Sequence, residues 1–403
     1  TSNTTGQYNV ALGSNALYSN TIGHSNTAVG YESLKSNTTG TVNTAIGWSS
    51  MKENTIGHAN VAMGYYAMRA NTTGTYNTAV GYRALDTNTI GSANTVLGNE
   101  SLFSNTTGSN NSGVGRDVLR TNTIGAGNTA MGKAAMYSNT TGNDNTAVGF
   151  NALLSNTIGG GSVAIGKGAL QTNTTGVENV AVGLSALFGN TIGVKNVAIG
   201  YNALQTNTTG THNTAIGHRT LYPNTTGKEN VAVGSEALRN NTIGKQNTAV
   251  GFNAMNDNTT GNYNTAVGSH SLHYNTTGER NVAVGNSALY PNTTGKYNVA
   301  VGFEALRFNT IGQENTALGY QSLTSNTTGK YNTSVGMEAL RNNTIGQYNI
   351  AVGKEALKAN TTGEKNVAVG NSALYTNTVG EHNVAVGYQT LYYNTTAINN
   401  IAV

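Results

Sequence analysis

The chain of 403 residues contains 52 glycines, 2 prolines, no cysteine and 9% charged residues, which does not fit an ordinary set of globular domains. Its formal net charge of +4 is spread over the sequence without charge runs, so we exclude a focused field for nucleic acid or an anionic membrane. No apolar stretch reaches the roughly 18 residues of a membrane span, and without cysteine the chain has no disulfide framework or thiolate metal site.

The sequence is a tandem repeat with a period of 17 residues. The Asn of each Asn-Thr-(Thr/Ile)-Gly, taken as position 1, recurs from Asn3 to Asn394 at every seventeenth residue and defines 24 units. The consensus is N-T-(T/I)-G-x-x-N-(T/V)-A-(V/I)-G-x-x-A-L-x-x. Such strict spacing is typical of stacked coils, so we predict an all-β, elongated β-solenoid or β-roll over residues 1–403. Because the array begins and ends inside a unit, we expect a fragment of a longer chain.

Positions 1 and 7 are Asn almost throughout, and Ser162 is the exception at position 7. Stacked side chains of this kind predict amide ladders from coil to coil, or caps of turns; a ligand-binding amide array is the functional alternative. The first predicted ladder members are Asn20, Asn37 and Asn54 at position 1 and Asn26, Asn43 and Asn60 at position 7.

Position 3 alternates between Thr and Ile over the first thirteen units, and the alternation then slips where Thr226 follows Thr209. The alternation indicates either an origin by duplication of a pair of units, which we favour, or a coil of two units. One unit per coil predicts a rod of roughly 110 Å, and two units would halve that length.

Positions 7 to 11 predict a short strand, with the β-branched residues of positions 8 and 10 on one face. Position 9 is small and position 10 is aliphatic or Met, while position 14 is usually Ala or Ser and position 15 is Leu or Met. We predict that these four columns form the core, with Val29 and Ile46 at position 10 and Leu34 and Leu85 at position 15.

Glycine is kept at positions 4 and 11, which together hold 46 of the 52 glycines. A fixed glycine predicts a positive φ or a close approach of adjacent coils, and we expect these columns to mark two corners of each coil. Predicted examples at position 11 are Gly30, Gly47 and Gly64.

Positions 12 to 16 fit either irregular structure or a short helical turn. Pro223 and Pro291 both stand at position 17, which indicates that this position needs no backbone donor and that a helical turn would end by the Leu.

Short motifs within the units resemble known surface proteins. The segment Gly161-Ser-Val-Ala-Ile-Gly166 resembles the repeats in the heads of trimeric autotransporter adhesins, and Asn77–Gly91 and Asn315–Gly329 are similar to repeats of phage tail-fibre-like and bacterial surface-fibre proteins. The first resemblance implies a left-handed β-roll, association of three chains and an adhesive surface. The units here are longer than the usual adhesin-head repeat, and we expect any anchoring segment to lie in the longer chain, outside these residues.

No set of potentially catalytic residues recurs at fixed repeat positions in the sequence. The seven histidines fall at variable repeat positions and the acidic residues are scattered singly, so we predict no enzyme, no cofactor and no metal site. Asn-Thr-Thr triplets such as those at Asn3 and Asn37 are formal N-glycosylation acceptors. Aromatic residues at position 12 form a discontinuous stripe that predicts either surface contacts or stacking between coils, with Tyr31, Trp48, Tyr65, Tyr82 and Tyr201 as its members of interest.

These patterns favour a structural shaft or adhesive segment of an extracellular, cell-surface or virion tail fibre. We expect self-association as a homotrimer or filament, with a cell-surface, carbohydrate or matrix receptor as a further partner, and neither nucleic acid nor membrane insertion. The alternative is a carbohydrate-binding or ice-binding solenoid, the latter suggested by Thr at position 2 of every unit.

Overall fold

A computed structural model describes residues 3–403, which form two compact units, 3–199 and 200–403. Both are all-β and are built from short parallel strands, and residues 3–403 include no helix. The strand order follows the sequence, with one strand for each 17-residue repeat. The predicted fold class, a β-solenoid of 17-residue repeats, is therefore confirmed.

The first unit contains twelve strands, each paired in parallel with the next. They are β1 (Val10–Leu12), β2 (Thr27–Val29), β3 (Thr44–Ile46), β4 (Val61–Met63), β5 (Thr78–Val80), β6 (Thr95–Leu97), β7 (Ser112–Val114), β8 (Thr129–Met131), β9 (Thr146–Val148), β10 (Val163–Ile165), β11 (Val180–Val182) and β12 (Val197–Ile199).

The second unit contains twelve further strands, paired in the same way. They are β13 (Thr214–Ile216), β14 (Val231–Val233), β15 (Thr248–Val250), β16 (Thr265–Val267), β17 (Val282–Val284), β18 (Val299–Val301), β19 (Thr316–Leu318), β20 (Thr333–Val335), β21 (Ile350–Val352), β22 (Val367–Val369), β23 (Val384–Val386) and β24 (Ile401–Ala402).

The register shows that each coil holds a single repeat. Thr27 pairs with Thr44, Ala28 with Ala45, and Val29 with Ile46, so equivalent positions lie directly over one another. The same offset of 17 residues recurs in both units. A coil of two repeats would need pairs 34 residues apart, and the Thr/Ile alternation at position 3 is thus compatible with its origin by duplication.

The core of each coil is narrow and consists of positions 9, 14 and 15. Ala28 and Ala45 at position 9 and Leu34 and Leu85 at position 15 are fully buried. At position 14, the hydroxyls of Ser33, Ser50 and Ser322 donate to the carbonyl of position 9 in the next coil, as Ser33 does to Ala45 at 2.9 Å. Burial of one side chain of this size contributes only about 1.5–3 kcal/mol to the stability of the fold, so the fold depends on stacking of many coils.

Position 10 does not belong to the core, and the prediction that it does was wrong. In a three-residue strand, alternate side chains point to opposite faces, and the small residue of position 9 occupies the inner one. Val29 and Ile46 are consequently half-buried on the outer face, and Met63 is 40% exposed. The prediction that positions 8 and 10 share a face is confirmed, but that face points outward.

Positions 12 to 17 form turns, so the alternative of a helical turn was also wrong. Glu32 at position 13 and Leu34 at position 15 have φ of 53° and 49°, in the left-handed region, and therefore interrupt any right-handed turn. The Leu34 amide donates to the Ser50 carbonyl of the next coil at 3.1 Å, rather than to a residue within its own coil. Hydrogen bonds between coils hold this segment in place of a helix.

Proline at position 17 has a cost that the sequence does not reveal. In other coils the amide of this position donates to the next coil, as Ser36 does to the Lys52 carbonyl at 3.0 Å. The inference that position 17 needs no donor was therefore wrong, since Pro223 and Pro291 each remove one such hydrogen bond.

The two glycine columns have different physical reasons. At position 11, Gly47 has φ of 132°, and a Cβ there would lie 2.4 Å from the Gly64 carbonyl oxygen. Gly30 and Gly64 have the same conformation, with φ of 128° and 140°. At position 4, a Cβ on Gly40 would lie 2.4 Å from the Gly57 oxygen and 2.4 Å from Asn37 Oδ1. Position 11 thus needs the φ and the close approach, and position 4 needs the close approach.

Candidate functional site: the outward strand face

The two asparagine columns are structural parts of the interior. Asn37 Nδ2 donates to Asn20 Oδ1 at 2.8 Å and to the Gly40 carbonyl at 3.0 Å, and Asn54 repeats this pattern on Asn37. Asn26 Nδ2 donates to the same Gly40 oxygen at 2.9 Å, so one carbonyl accepts from both columns.

The position-7 column adds a backbone contact to the amide ladder. The Asn43 amide N–H donates to Asn26 Oδ1 at 3.0 Å, and Asn60 Nδ2 donates to Asn43 Oδ1 at 3.2 Å. Asn20 is 2% exposed, and Asn26, Asn37, Asn43, Asn54 and Asn60 are fully buried. These side-chain amides are buried and hydrogen-bonded to one another, so they do not form an exposed array that could bind a ligand.

Burial of position 1 also bears on the Asn-Thr-Thr triplets. Both Nδ2 hydrogens of Asn37 are used inside the array, and its side chain is fully buried. A glycosylating enzyme needs access to that nitrogen, so the folded array protects this acceptor. Asn3, in the first described coil, is exposed.

The threonine column at position 2 has its hydroxyl hydrogens engaged as well. Thr21 Oγ1 donates to the Thr38 carbonyl at 3.0 Å, and Thr38 Oγ1 donates to the Thr55 carbonyl at 3.2 Å. A hydroxyl has one hydrogen to donate, so this column has no free donor to present to an ice surface.

The outer face of the strands forms a regular surface in each unit. Position 8 holds only Thr, Val, Ser or Ile, and position 10 holds only Val, Ile, Leu or Met, so every strand presents an uncharged pair. Leu97, Ile165 and Leu318 of position 10 are 51%, 41% and 46% exposed. We call the side chains of positions 8 and 10 the strand face.

No charged residue belongs to the strand face; charged residues stand at positions 5, 6, 12, 13, 16 and 17, and many of the ion pairs join positions 13 and 16. Glu32 contacts Lys35 Nζ at 2.6 Å within its own coil and Lys52 Nζ at 2.8 Å in the next. The hydrogen bonds from Lys35 and Lys52 lower the pKa of Glu32 to about 2. Five Glu-x-x-(Lys/Arg) pairs follow this spacing, which was a signal in the sequence: Glu32–Lys35, Glu236–Arg239, Glu304–Arg307, Glu338–Arg341 and Glu355–Lys358. Opposite charges are thus paired away from the strand face.

The aromatic residues of position 12 are exposed and partly stacked. Tyr31 and Trp48 stack with ring centroids 4.3 Å apart, and Tyr65 and Tyr82 stack at 5.4 Å. Tyr201 stacks on His218 at 5.4 Å. All five predicted aromatic residues are between 38% and 50% exposed. Stacking between coils and access from solvent therefore occur together.

Residues 3–403 contain no group of three or more His, Cys, Asp or Glu side chains placed to hold a metal ion. The same residues contain no helix of the length and hydrophobicity that crossing a membrane requires. No protein-family model matches the sequence, and no curated protein matches it significantly. The uncharged, half-exposed strand face is the functional candidate that rests on geometry.

Proposed function

We propose that this chain is a non-catalytic structural segment of an extracellular fibre, in which copies of the chain associate through their strand faces. The observation that carries the proposal is the parallel sheet with an uncharged, half-exposed outer face. Parallel sheets occur almost only with both faces covered. In each unit the inner face, which carries the Ala column, is buried, whereas the outer face is not.

A second copy of the chain is the partner that fits this surface. A copy carries the same uncharged pair at the same axial repeat, so contacts made by one coil are made by the following coils as well. The face contains no charge along its twelve strands in either unit, and the core of protein interfaces is likewise depleted of charge. The resemblance to adhesin heads supports three chains in the assembly.

Analytical ultracentrifugation of the full chain tests the assembly. We expect the wild-type chain to sediment as an oligomer, and a trimer is the expected stoichiometry. The variant Val29→Lys/Ile46→Lys/Met63→Lys places three ammonium groups on the strand face, where each would lose its hydration on association. This variant should sediment more slowly, as a monomer or a weakened oligomer.

A matched control carries the same charge on another column. Ile22, Ile56 and Ile90 at position 3 are 54%, 53% and 53% exposed and lie outside the strand face. Their triple substitution by Lys should leave the oligomer intact. A wild-type monomer at micromolar concentration, or equal dissociation by both triple variants, would contradict association through the strand face.

A further inference from the structure

A surface groove of about 420 Å³ lies across three coils of the first unit, beside the only tryptophan of the chain. Its aromatic walls are Tyr31, Trp48 and Tyr66, and its charged groups include Lys52 and Glu53. These residues occupy positions 12, 13, 16 and 17, so the groove is separate from the strand face.

The groove opens because the position-12 column is interrupted after Trp48. Trp48 stacks on Tyr31 and, among the described residues, on no second ring. Tyr65, the next residue of the column, instead lies 4.1 Å from the Tyr66 ring and 5.4 Å from the Tyr82 ring, between centroids. The proximity of Tyr66 raises the pKa of the Tyr65 hydroxyl. One indole face is thus left without an aromatic partner, and Trp48 is 50% exposed.

The charged groups around the indole of Trp48 differ in whether they already have an ion-pair partner. Lys52 is paired with Glu32 at 2.8 Å, and Arg69 is paired with Asp86 at 3.0 Å while its guanidinium lies 4.8 Å from the Tyr66 ring centroid. The carboxylate of Glu53 is exposed and has no ion pair within residues 3–403. An acceptor is therefore available for new hydrogen bonds, whereas the cations are already neutralised.

The geometry points to a binding site for a neutral saccharide, with one sugar ring on the free face of Trp48. The face of an aromatic ring is electronegative and attracts the polarised C–H groups of a sugar ring. The Glu53 carboxylate accepts hydrogen bonds from sugar hydroxyls beside it. The volume lies within the range of small-molecule sites.

Neutral ligands are favoured because the charges in the groove balance. Lys52 and Arg69 carry two positive charges, and Glu32 and Glu53 carry two negative charges. An acidic saccharide would bring its carboxylate beside unpaired Glu53, and like charges repel. The site does not depend on assembly of the fibre, since no residue of the strand face contributes to it.

Trp48 reports on its own occupancy, because no other residue of the chain has indole fluorescence. The full chain is titrated with cellotetraose, maltotetraose and chitotetraose, and with sialyllactose as the acidic probe. We expect a saturable change in emission with at least one neutral tetrasaccharide, at a dissociation constant of about 1 mM or tighter. No change with any neutral probe, or a response to sialyllactose alone, would overturn the assignment.

Calorimetry then compares variants with the responding saccharide. Trp48→Ala and Glu53→Gln should each weaken binding by about tenfold or more, as loss of a stacking face or of a charged hydrogen-bond acceptor does. Phe303→Ala removes one ring from the Phe303–Tyr320 stack of the second unit and is the matched control, which should bind as the wild type does. Binding unchanged in Trp48→Ala would refute the site. The same variants should sediment as the wild-type oligomer does, which separates a loss of saccharide binding from a loss of assembly.

Discussion

At the scale of single residues, the stability of the array rests on buried amides that are fully hydrogen-bonded. An unsatisfied polar group in the interior costs about 1–3 kcal/mol, whereas a satisfied network contributes favourably. Asn37 meets this condition because Gly40 leaves its carbonyl oxygen open to two donors, one from each asparagine column. Glycine and asparagine are therefore fixed together in the repeat.

Ser162 interrupts the position-7 ladder in the first unit and allows a stabilising substitution. Its backbone N–H still donates to Asn145 Oδ1 at 3.0 Å, and its hydroxyl accepts from the Asn179 amide at 3.2 Å. It has no Nδ2 to donate to the carbonyl of Gly176 or to Asn145. Ser162→Asn should add these two hydrogen bonds and stabilise the chain by about 1–2 kcal/mol.

Thermal unfolding followed by circular dichroism measures the effect of this substitution. The midpoint should rise by about 2–6 °C, as expected for a chain segment of this size. The reciprocal change Asn145→Ser removes the contacts to Asn128 Oδ1 at 3.2 Å and to the Gly159 carbonyl at 2.9 Å, and should lower the midpoint. A lower midpoint in Ser162→Asn would mean that the coil around Gly160 and Gly161 does not accept an asparagine.

The residue scale is also where sequence reasoning performs best. A residue type that recurs every 17 residues in a stacked fold has to meet its own copies, so the asparagine, glycine and leucine columns follow from the period alone. Sequence reasoning could not show which partners the amides choose. The acceptance of two hydrogen bonds by the Gly40 carbonyl depends on the curvature of the coil, which has no signature in the sequence.

At the scale of the element, the three-residue strand explains why the inward side was misassigned. Val29 and Ala28 are adjacent, so only one of them faces the interior. Hydrophobicity favours Val29 for that position, but Ala28 occupies it. The constant size of the residue at position 9 was a better signal of burial than hydrophobicity. Position 9 is nearly always Ala because neighbouring coil walls leave room for one methyl group, whereas position 10 varies from Val to Met.

Complementary sizes within the core support this explanation. Gly113 stands at position 9 in the coil where position 14 is Val118, and a Cβ added to Gly113 would lie 3.4 Å from Val118 Cγ1. The same Cβ would lie 3.0 Å from the hydroxyl oxygen of Ser101, at position 14 of the preceding coil. Positions 9 and 14 thus share a limited volume, as expected of a close-packed interior.

Each coil is an interchangeable element, and deleting one of them tests this property. Removal of residues 139–155 would bring the coil that starts at Asn122 onto the coil that starts at Asn156 with all columns aligned. We expect the circular dichroism spectrum to keep its shape and the thermal midpoint to change by less than about 5 °C, because the stability of repeat proteins is a sum over neighbouring units.

The control deletion removes residues 139–154 and leaves one coil a residue out of step. A one-residue slip moves inward side chains to the outer face, so the amide and leucine columns are broken at that coil. The midpoint should fall by at least about 10 °C, or the chain should aggregate. Equal stability of the two deletion variants would show that coils do not depend on vertical register.

At the scale of the whole molecule, the strand face is the surface on which the proposed assembly depends. The fold class and its period could be predicted from the sequence, because they depend on spacing. The strand face could not, because its existence follows from the orientation of position 10, and charge pairing such as Glu32 with Lys52 depends on contacts between coils. Self-association was expected from a resemblance, and the proposal of it now rests on the exposed, uncharged pair of each strand.

If the chains associate through the strand face as proposed, the stability of the chain depends on protein concentration. A partner that binds only the folded chain stabilises it by about 2.7 kcal/mol at a hundredfold excess over its dissociation constant. The midpoint of wild-type unfolding should therefore rise between 0.1 and 10 μM chain, by roughly 5 °C or more. The Val29→Lys/Ile46→Lys/Met63→Lys variant has a weakened face and should show a smaller rise. Scanning calorimetry at several heating rates separates this equilibrium effect from slow irreversible unfolding, which shifts the midpoint with heating rate rather than with concentration. A concentration-independent midpoint in the wild-type chain, equal to that of the variant, would mean that the strand face remains open to solvent.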